Sequence, residues 1–285
     1  MAKLDSSALI LMLAAMVSTQ VGSALAKSLI IQVGPLGIVC LRVGLAAILL
    51  LLWQRPQLRG YSARTYQLLV MFGLSLAIMN SCFYGAIARI PIGVAVAVEF
   101  SGPLVVALVY SRRWIDGVWV ALAALGIGLL SPWHASGLDS WGLVFALLAG
   151  VAWGTYIVLS AQVGQIFTGS QGLALAMAVG GLVLLPLGWF STGSTLLSPS
   201  ILGSGAIVAL LSSALPYSLE MAALRRIPMH GFGVLLSLEP AIATVTGFLG
   251  LRETLTLSML FAIGLIMVAA AGVSLCRPAV VVPTE

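Results

Sequence analysis

Long apolar runs separated by short polar breaks repeat along the whole of this 285-residue chain. The runs are continuous rather than alternating, so they read as helices and not as barrel strands. A helix needs about 20 mostly apolar residues to cross a hydrocarbon core of about 30 Å. Ten such spans are predicted, at 7–26, 34–53, 67–87, 92–111, 117–131, 141–161, 170–190, 201–224, 230–250 and 255–276. The expected fold is an all-α integral membrane protein of ten transmembrane helices.

Composition agrees with that reading. With 61% hydrophobic and 7% charged residues, the chain has too few polar side chains to coat a soluble globule, and lipid is its solvent. The net charge of +5 therefore concerns topology, and nucleic acid is not an expected partner. With the N-terminus placed inside, Lys3, Arg55, Arg59, Arg64, Arg112, Arg113, Arg225, Arg226 and Arg277 fall on the cytoplasmic side, and only Lys27, Arg89 and Arg252 fall outside. The excess predicts cytoplasmic termini, with the basic loops lying against anionic lipid headgroups. Lys3, the first apolar run and Ala24-Leu25-Ala26 imitate a secretory signal. Cleavage is not expected, because the run near Leu13 (LAAMVS) has a counterpart at Leu147 (LLAGVAW). Cys40, Cys82 and Cys276 lie in apolar runs and read as buried free thiols.

The halves of the chain echo each other. Ala88-Arg89-Ile90-Pro91 matches Arg225-Arg226-Ile227-Pro228, Pro103 matches Pro240 and Asp116 matches Glu253, each pair 137 residues apart. Two repeats are expected, at 1–133 and 134–285. Five spans is an odd number, so the second repeat must enter the membrane upside down, the inverted plan of many secondary transporters. In that plan the substrate site lies near the midplane, where interrupted helices offer unpaired backbone groups.

Ionisable groups in hydrocarbon are costly and usually face a cavity or a partner. Arg42, Glu99 and Glu239 lie inside spans. Glu220 lies near the cytoplasmic end of its own, where it can snorkel or pair with Arg225 or Arg226. Proline frees the carbonyl four residues before it, so Pro103 frees Glu99, Pro240 frees Leu236 and Pro216 frees Ser212. Pro103 and Pro240 are equivalent under the repeat, but their carboxylates are not, since Glu239 aligns with Gly102. Gln20, Asn80, Tyr84, Trp153, Tyr156 and Tyr217 can line a polar cavity with them. Arg42 is either a substrate ligand or a counter-ion to Glu99 or another acid. Lys27 and Trp53 read as interfacial anchors, and Gly150 and Gly154 as a close helix contact.

No HExxH, Gly-x-Ser-x-Gly or Walker motif occurs, and the two histidines, His134 and His230, lie near span ends. Neither an enzyme nor a metal or cofactor site is expected.

Several stretches resemble a known family. VEFSGPLVVALVYSRRWIDGVWVALAALG, SSALPYSLEMAALRRIP and FGVLLSLEPAIATVTGFLGLRETLT are similar to the EamA-type branch of the drug/metabolite transporter superfamily, and ALAKSL and LRVGLAAILL strengthen the match. Glu239-Pro240 followed by Arg252-Glu253-Thr254-Leu255-Thr256 is a general EamA-type pattern. ALPYSLEMAALRRIP points more narrowly to the threonine/homoserine exporters of enteric bacteria. The resemblance covers nearly the whole chain. It implies ten spans, an inner-membrane location and proton-driven efflux of small neutral amino acids. It also implies a central cavity formed by spans one, three, four, six, eight and nine. A broader metabolite or drug exporter shares every bulk feature, and a non-transporting membrane scaffold is the more distant alternative.

Overall fold

The computed structural model describes residues 6–57, 60–109, 114–130, 138–168, 170–224 and 235–275. Regular structure among them is helical throughout. The chain opens with α1 (Ser6–Gln54), whose 49 residues would reach about 74 Å if straight. It folds back instead at Gly34, where φ is 69° and ψ 169°, a conformation that glycine adopts without a Cβ penalty. The contacts establish the reversal: Gly22 on the outgoing arm packs against Ser212, and Arg42 on the returning arm bonds the carbonyl of the same residue. Thr192 Oγ1 donates to the Val33 carbonyl at 2.5 Å, satisfying backbone that the turn releases. The outgoing arm is helical through Lys27 and beyond, further than the predicted span of 7–26.

After α2 (Ala63–Ile87), capped by Ser62, the predicted span at 92–111 is two helices, α3 (Ile92–Glu99) and α4 (Ser101–Val109). The interruption falls at Phe100, three residues ahead of Pro103. Next come α5 (Trp114–Leu129), α6 (Ser140–Gly164), capped by Asp139, and α7 (Gln171–Thr192). A 3₁₀ turn, Gly193–Leu197, leads to α8 (Pro199–Ala209), a π turn (Leu210–Ala214) and α9 (Leu215–Leu224). Last are α10 (Glu239–Leu251) and α11 (Leu257–Leu275).

The helices form a bundle in which α1 packs on α7, α8 and α9, α2 on α6 and α7, α3 on α10, and α5 on α11. Where α4 crosses α6 the backbones touch: a Cβ on Gly102 would overlap the Gly150 carbonyl, and one on Gly150 would lie 2.9 Å from the Glu99 carbonyl oxygen. Small residues permit that approach in a membrane bundle. Large apolar side chains such as Ile78, Leu182, Phe190 and Leu249 stand exposed on the outside, as lipid solvation requires. The stretches 9–54, 63–87, 140–164 and 171–197 are long and apolar enough to cross a membrane, and shorter apolar helices accompany them, so this is a multi-pass membrane protein. Cys40 and Cys82 are free thiols; Cys276 lies outside the described residues.

Candidate functional site

The site begins with a defect in helical bonding between α8 and α9. Pro216 has no N–H, so the Ser212 carbonyl loses its usual donor. One step earlier, Leu215 N–H reaches back five residues to Leu210 O rather than four, which also releases the Leu211 carbonyl. Both oxygens are then bonded from α1. Ser18 Oγ donates to Leu211 O at 2.7 Å, and Arg42 Nη2 donates to Ser212 O at 2.9 Å.

Arg42 is 8% exposed and held on several sides. Its Nε donates to Ser213 Oγ at 3.2 Å, and Nη1 to Asn80 Oδ1 at 2.7 Å and to the Tyr84 hydroxyl at 3.4 Å. Four of the five guanidinium N–H groups are thereby engaged, and one on Nη2 remains. Asn80 is fixed in turn, its Nδ2 donating to Leu76 O at 2.9 Å. The two sequence readings of Arg42 invoked a substrate or an acid. Its bonded partners are neutral, and no carboxylate among the described residues lies within ion-pair distance of it.

The carboxylates lie further along the same interior. Glu239 stands in the first turn of α10, with Pro240 beside it, where the helix dipole favours negative charge. It accepts from Gln20 Nε2 at 3.0 Å. Glu99 ends α3, and its charge acts on and feels those of Glu239 and Arg42. The freed Glu99 carbonyl was expected to help build the site, but it lies against Gly150 of α6; the side chain is what shares the charge cluster. Glu220 was expected to snorkel or to pair with Arg225 or Arg226. It is half-buried and lies within range of the Glu239 charge; the two arginines lie outside the described residues.

The aromatic candidates divide. Tyr84 is fully buried under Arg42, with Cζ 5.5 Å from its ring centroid. Trp153 meets Phe100, the residue at the α3/α4 interruption, edge to face with centroids 4.9 Å apart. Tyr156 packs on Phe72, centroids 5.0 Å apart, in the apolar cluster of α2, α6 and α7. The Tyr217 side chain lies outside the described residues. An apolar groove of about 790 Å³ runs between the outgoing arm of α1 and α10, lined by Val17, Val21, Leu25, Ile242, Val245 and Leu249 among others. It flanks the two helices that hold the Gln20–Glu239 contact.

A second polar cluster escaped sequence reading. Lys27 Nζ donates to Glu253 Oε1 at 2.6 Å and to the Ile90 carbonyl at 2.8 Å, while Glu253 Oε2 accepts from Ile92 N at 3.0 Å. These contacts tie α1 and the start of α3 to the α10–α11 connection, at the end of the bundle where α1 reverses. Lys27 is therefore one half of an ion pair rather than an interfacial anchor alone, and Glu253 was legible as a match to Asp116 and as part of the EamA-type pattern, but not as the partner of Lys27.

Comparison with known proteins follows the same lines. Residues 140–275 match the EamA-like transporter family. The threonine/homoserine exporter RhtA of Escherichia coli (strain K12) is 42% identical over 269 residues, covering 94% of this chain and 91% of that one. The exporter of that name in Salmonella typhimurium (strain LT2) is 41% identical over the same length. The transporter YwfM of Bacillus subtilis (strain 168), whose own role is uncharacterised, is 25% identical over 235 residues, 80% of this chain and 79% of that one. A solved crystal structure with 18% sequence identity superposes with a TM-score of 0.59, covering 96% of this chain and 97% of the other, and so shares the fold. With 42% identity to an exporter across 94% of its length and a family match over its second half, the chain belongs to the EamA-like transporter family.

Proposed function

We propose that this protein is a secondary active transporter of the bacterial inner membrane that exports small neutral amino acids, threonine and homoserine among them, in exchange for protons. Two inverted five-helix repeats, 1–133 and 134–285, would alternate access to one central site, with both termini cytoplasmic. The observation that carries the reading is the charge cluster in the interior: buried Arg42 and half-buried Glu99, Glu220 and Glu239, on helices of both halves, with Gln20 bonded to Glu239, beside two interrupted helices. A scaffold has no use for uncompensated charge at that depth. The names of the similar exporters support the substrate class.

A zwitterionic amino acid needs an anion for its ammonium and donors for its carboxylate. Glu99 suits the first task. The remaining Nη2 hydrogen of Arg42 and the N-terminal turn of α10 suit the second. A carboxylate can hold either a proton or an ammonium partner, so the two ligands exclude each other, and antiport follows. One proton entering through about 150 mV gains roughly 3.5 kcal/mol, and each tenfold of gradient costs about 1.4 kcal/mol, so one-for-one exchange sustains a gradient of a few hundredfold.

Transport in proteoliposomes with an imposed pH gradient tests this. Wild-type protein should move threonine against its gradient only when protons run the other way. Glu99→Gln and Glu239→Gln should each slow or uncouple that exchange, and normal proton-dependent rates in both would remove these carboxylates from the coupling.

A further inference from the structure

Gln20, on the outgoing arm of α1, is 1% exposed. Its amide has one end that only donates and one that only accepts. The NH₂ end donates to Glu239 Oε1 at 3.0 Å. The oxygen, equally buried, has no hydrogen-bond partner among the described residues. Leaving a buried acceptor unpaired is unfavourable, and the arrangement marks a place where a donor belongs.

The orientation follows from the chemistry of Glu239. An ionised carboxylate offers acceptors alone, so it holds the NH₂ end and turns the amide oxygen away. A protonated Glu239 offers an O–H, which the amide oxygen can accept after a half-turn of the amide plane. The NH₂ group would then face the opposite side.

We propose that Gln20 converts protonation of Glu239 into a change of substrate affinity: its amide oxygen accepts from the substrate ammonium while Glu239 is ionised, and is withdrawn when Glu239 takes a proton. This rests on the proton-exchange reading above and names the residue that couples its two ligands. The charged groups acting around Glu239 are Arg42 on the returning arm of α1, Glu99 on α3 and Glu220 on α9. These carboxylates favour a cationic donor over a neutral hydroxyl, so Gln20 is a second acceptor for the ammonium that Glu99 holds in the reading above. An O–H bond forms on Glu239 with a proton from the proton-rich side as the amino acid leaves. That bond breaks, and the proton passes to the cytoplasm, before the next amino acid binds. Gln20 moves no proton itself and is a positioning residue.

The test is the half-saturating concentration of L-threonine in exchange assays, measured in proteoliposomes between pH 5.5 and 8.5. In the wild type it should rise as pH falls. Gln20→Met should raise it about tenfold at high pH, the loss of one hydrogen bond to a charged group, and should reduce its pH dependence relative to the wild type. A Gln20→Met profile that still follows the wild type overturns the proposal while leaving proton exchange intact. A wild type whose exchange ignores pH overturns both. Should Gln20→Met fail to accumulate in the membrane, Glu239→Gln decides: its amide can both donate and accept whatever the pH, so the pH dependence should shrink, and one equal to the wild type's refutes the coupling.

Discussion

Replacing Lys27 by Met removes one ammonium and strips two oxygens of their donor, Glu253 Oε1 at 2.6 Å and Ile90 O at 2.8 Å. The side chains of the pair are 21% and 10% exposed. That places it between exposed pairs, worth about 0–1 kcal/mol, and buried pairs, whose disruption costs about 3–5 kcal/mol. A value of about 2 kcal/mol is expected. If α3 and α10 part at this end during the proposed alternating access, the bonds exist only in the closed arrangement. Their loss then shifts the closed-to-open ratio about thirtyfold. A cysteine at Thr244, which packs against Gly93 between α3 and α10, in a background without the native cysteines, reports the shift as faster labelling by a membrane-impermeant maleimide. Glu253→Gln should act alike, and the double variant should label no faster than either single one. Reversing the pair, Lys27→Glu with Glu253→Lys, should fail to rescue. Ile92 N–H requires an acceptor at position 253, and the Ile90 carbonyl requires a donor at position 27, so the polarity is set by backbone. Unchanged labelling in the single variants would refute the role of this cluster in closing the bundle; full rescue by reversal would refute the part assigned to the backbone.

Two further outcomes follow from the geometry. Gly102→Ala drives a Cβ onto the Gly150 carbonyl, so α4 and α6 must separate at a cost of about 1–3 kcal/mol; the purified protein should melt several degrees lower, and an unchanged midpoint would show that the contact relaxes freely. Arg42→Lys keeps the charge but not the fork that reaches Asn80, Ser212 and Ser213 together; threonine exchange should fall at least tenfold at normal membrane levels, and wild-type rates would mean that only the charge matters.

The features readable from sequence were those with a local cause. Pro103 and Pro240 announce interruptions because a missing N–H acts on the carbonyl four residues back, and helices do restart at Ser101 and Glu239. Pro216 likewise pointed to the Ser212 carbonyl, which Arg42 uses. What bonded those groups was not readable. Gln20 and Glu239 are 219 residues apart and Lys27 and Glu253 are 226 apart, and no local pattern encodes such pairings. The nearness of Glu220 to the Glu239 charge was obscured for another reason: it depends on the helical phase set by the π turn ahead of it. A break was expected between the spans at 7–26 and 34–53, but the pattern did not reveal that both arms remain helical up to a single residue, Gly34.

That π turn sets the phase of everything after it. Adding one residue to an α-helix turns the following segment by about 100° and advances it by about 1.5 Å. Leu210–Ala214 does this midway along the segment that carries Ser212, Ser213 and Glu220. A one-residue deletion there would restore ordinary winding, return the Leu211 carbonyl to its own helix, strand the Ser18 hydroxyl and swing Glu220 away from Glu239, with no side chain of the site replaced. Indels at this point act as a rotary adjustment of the candidate site, so relatives that differ here by one residue should be compared by helical phase before they are compared by residue identity.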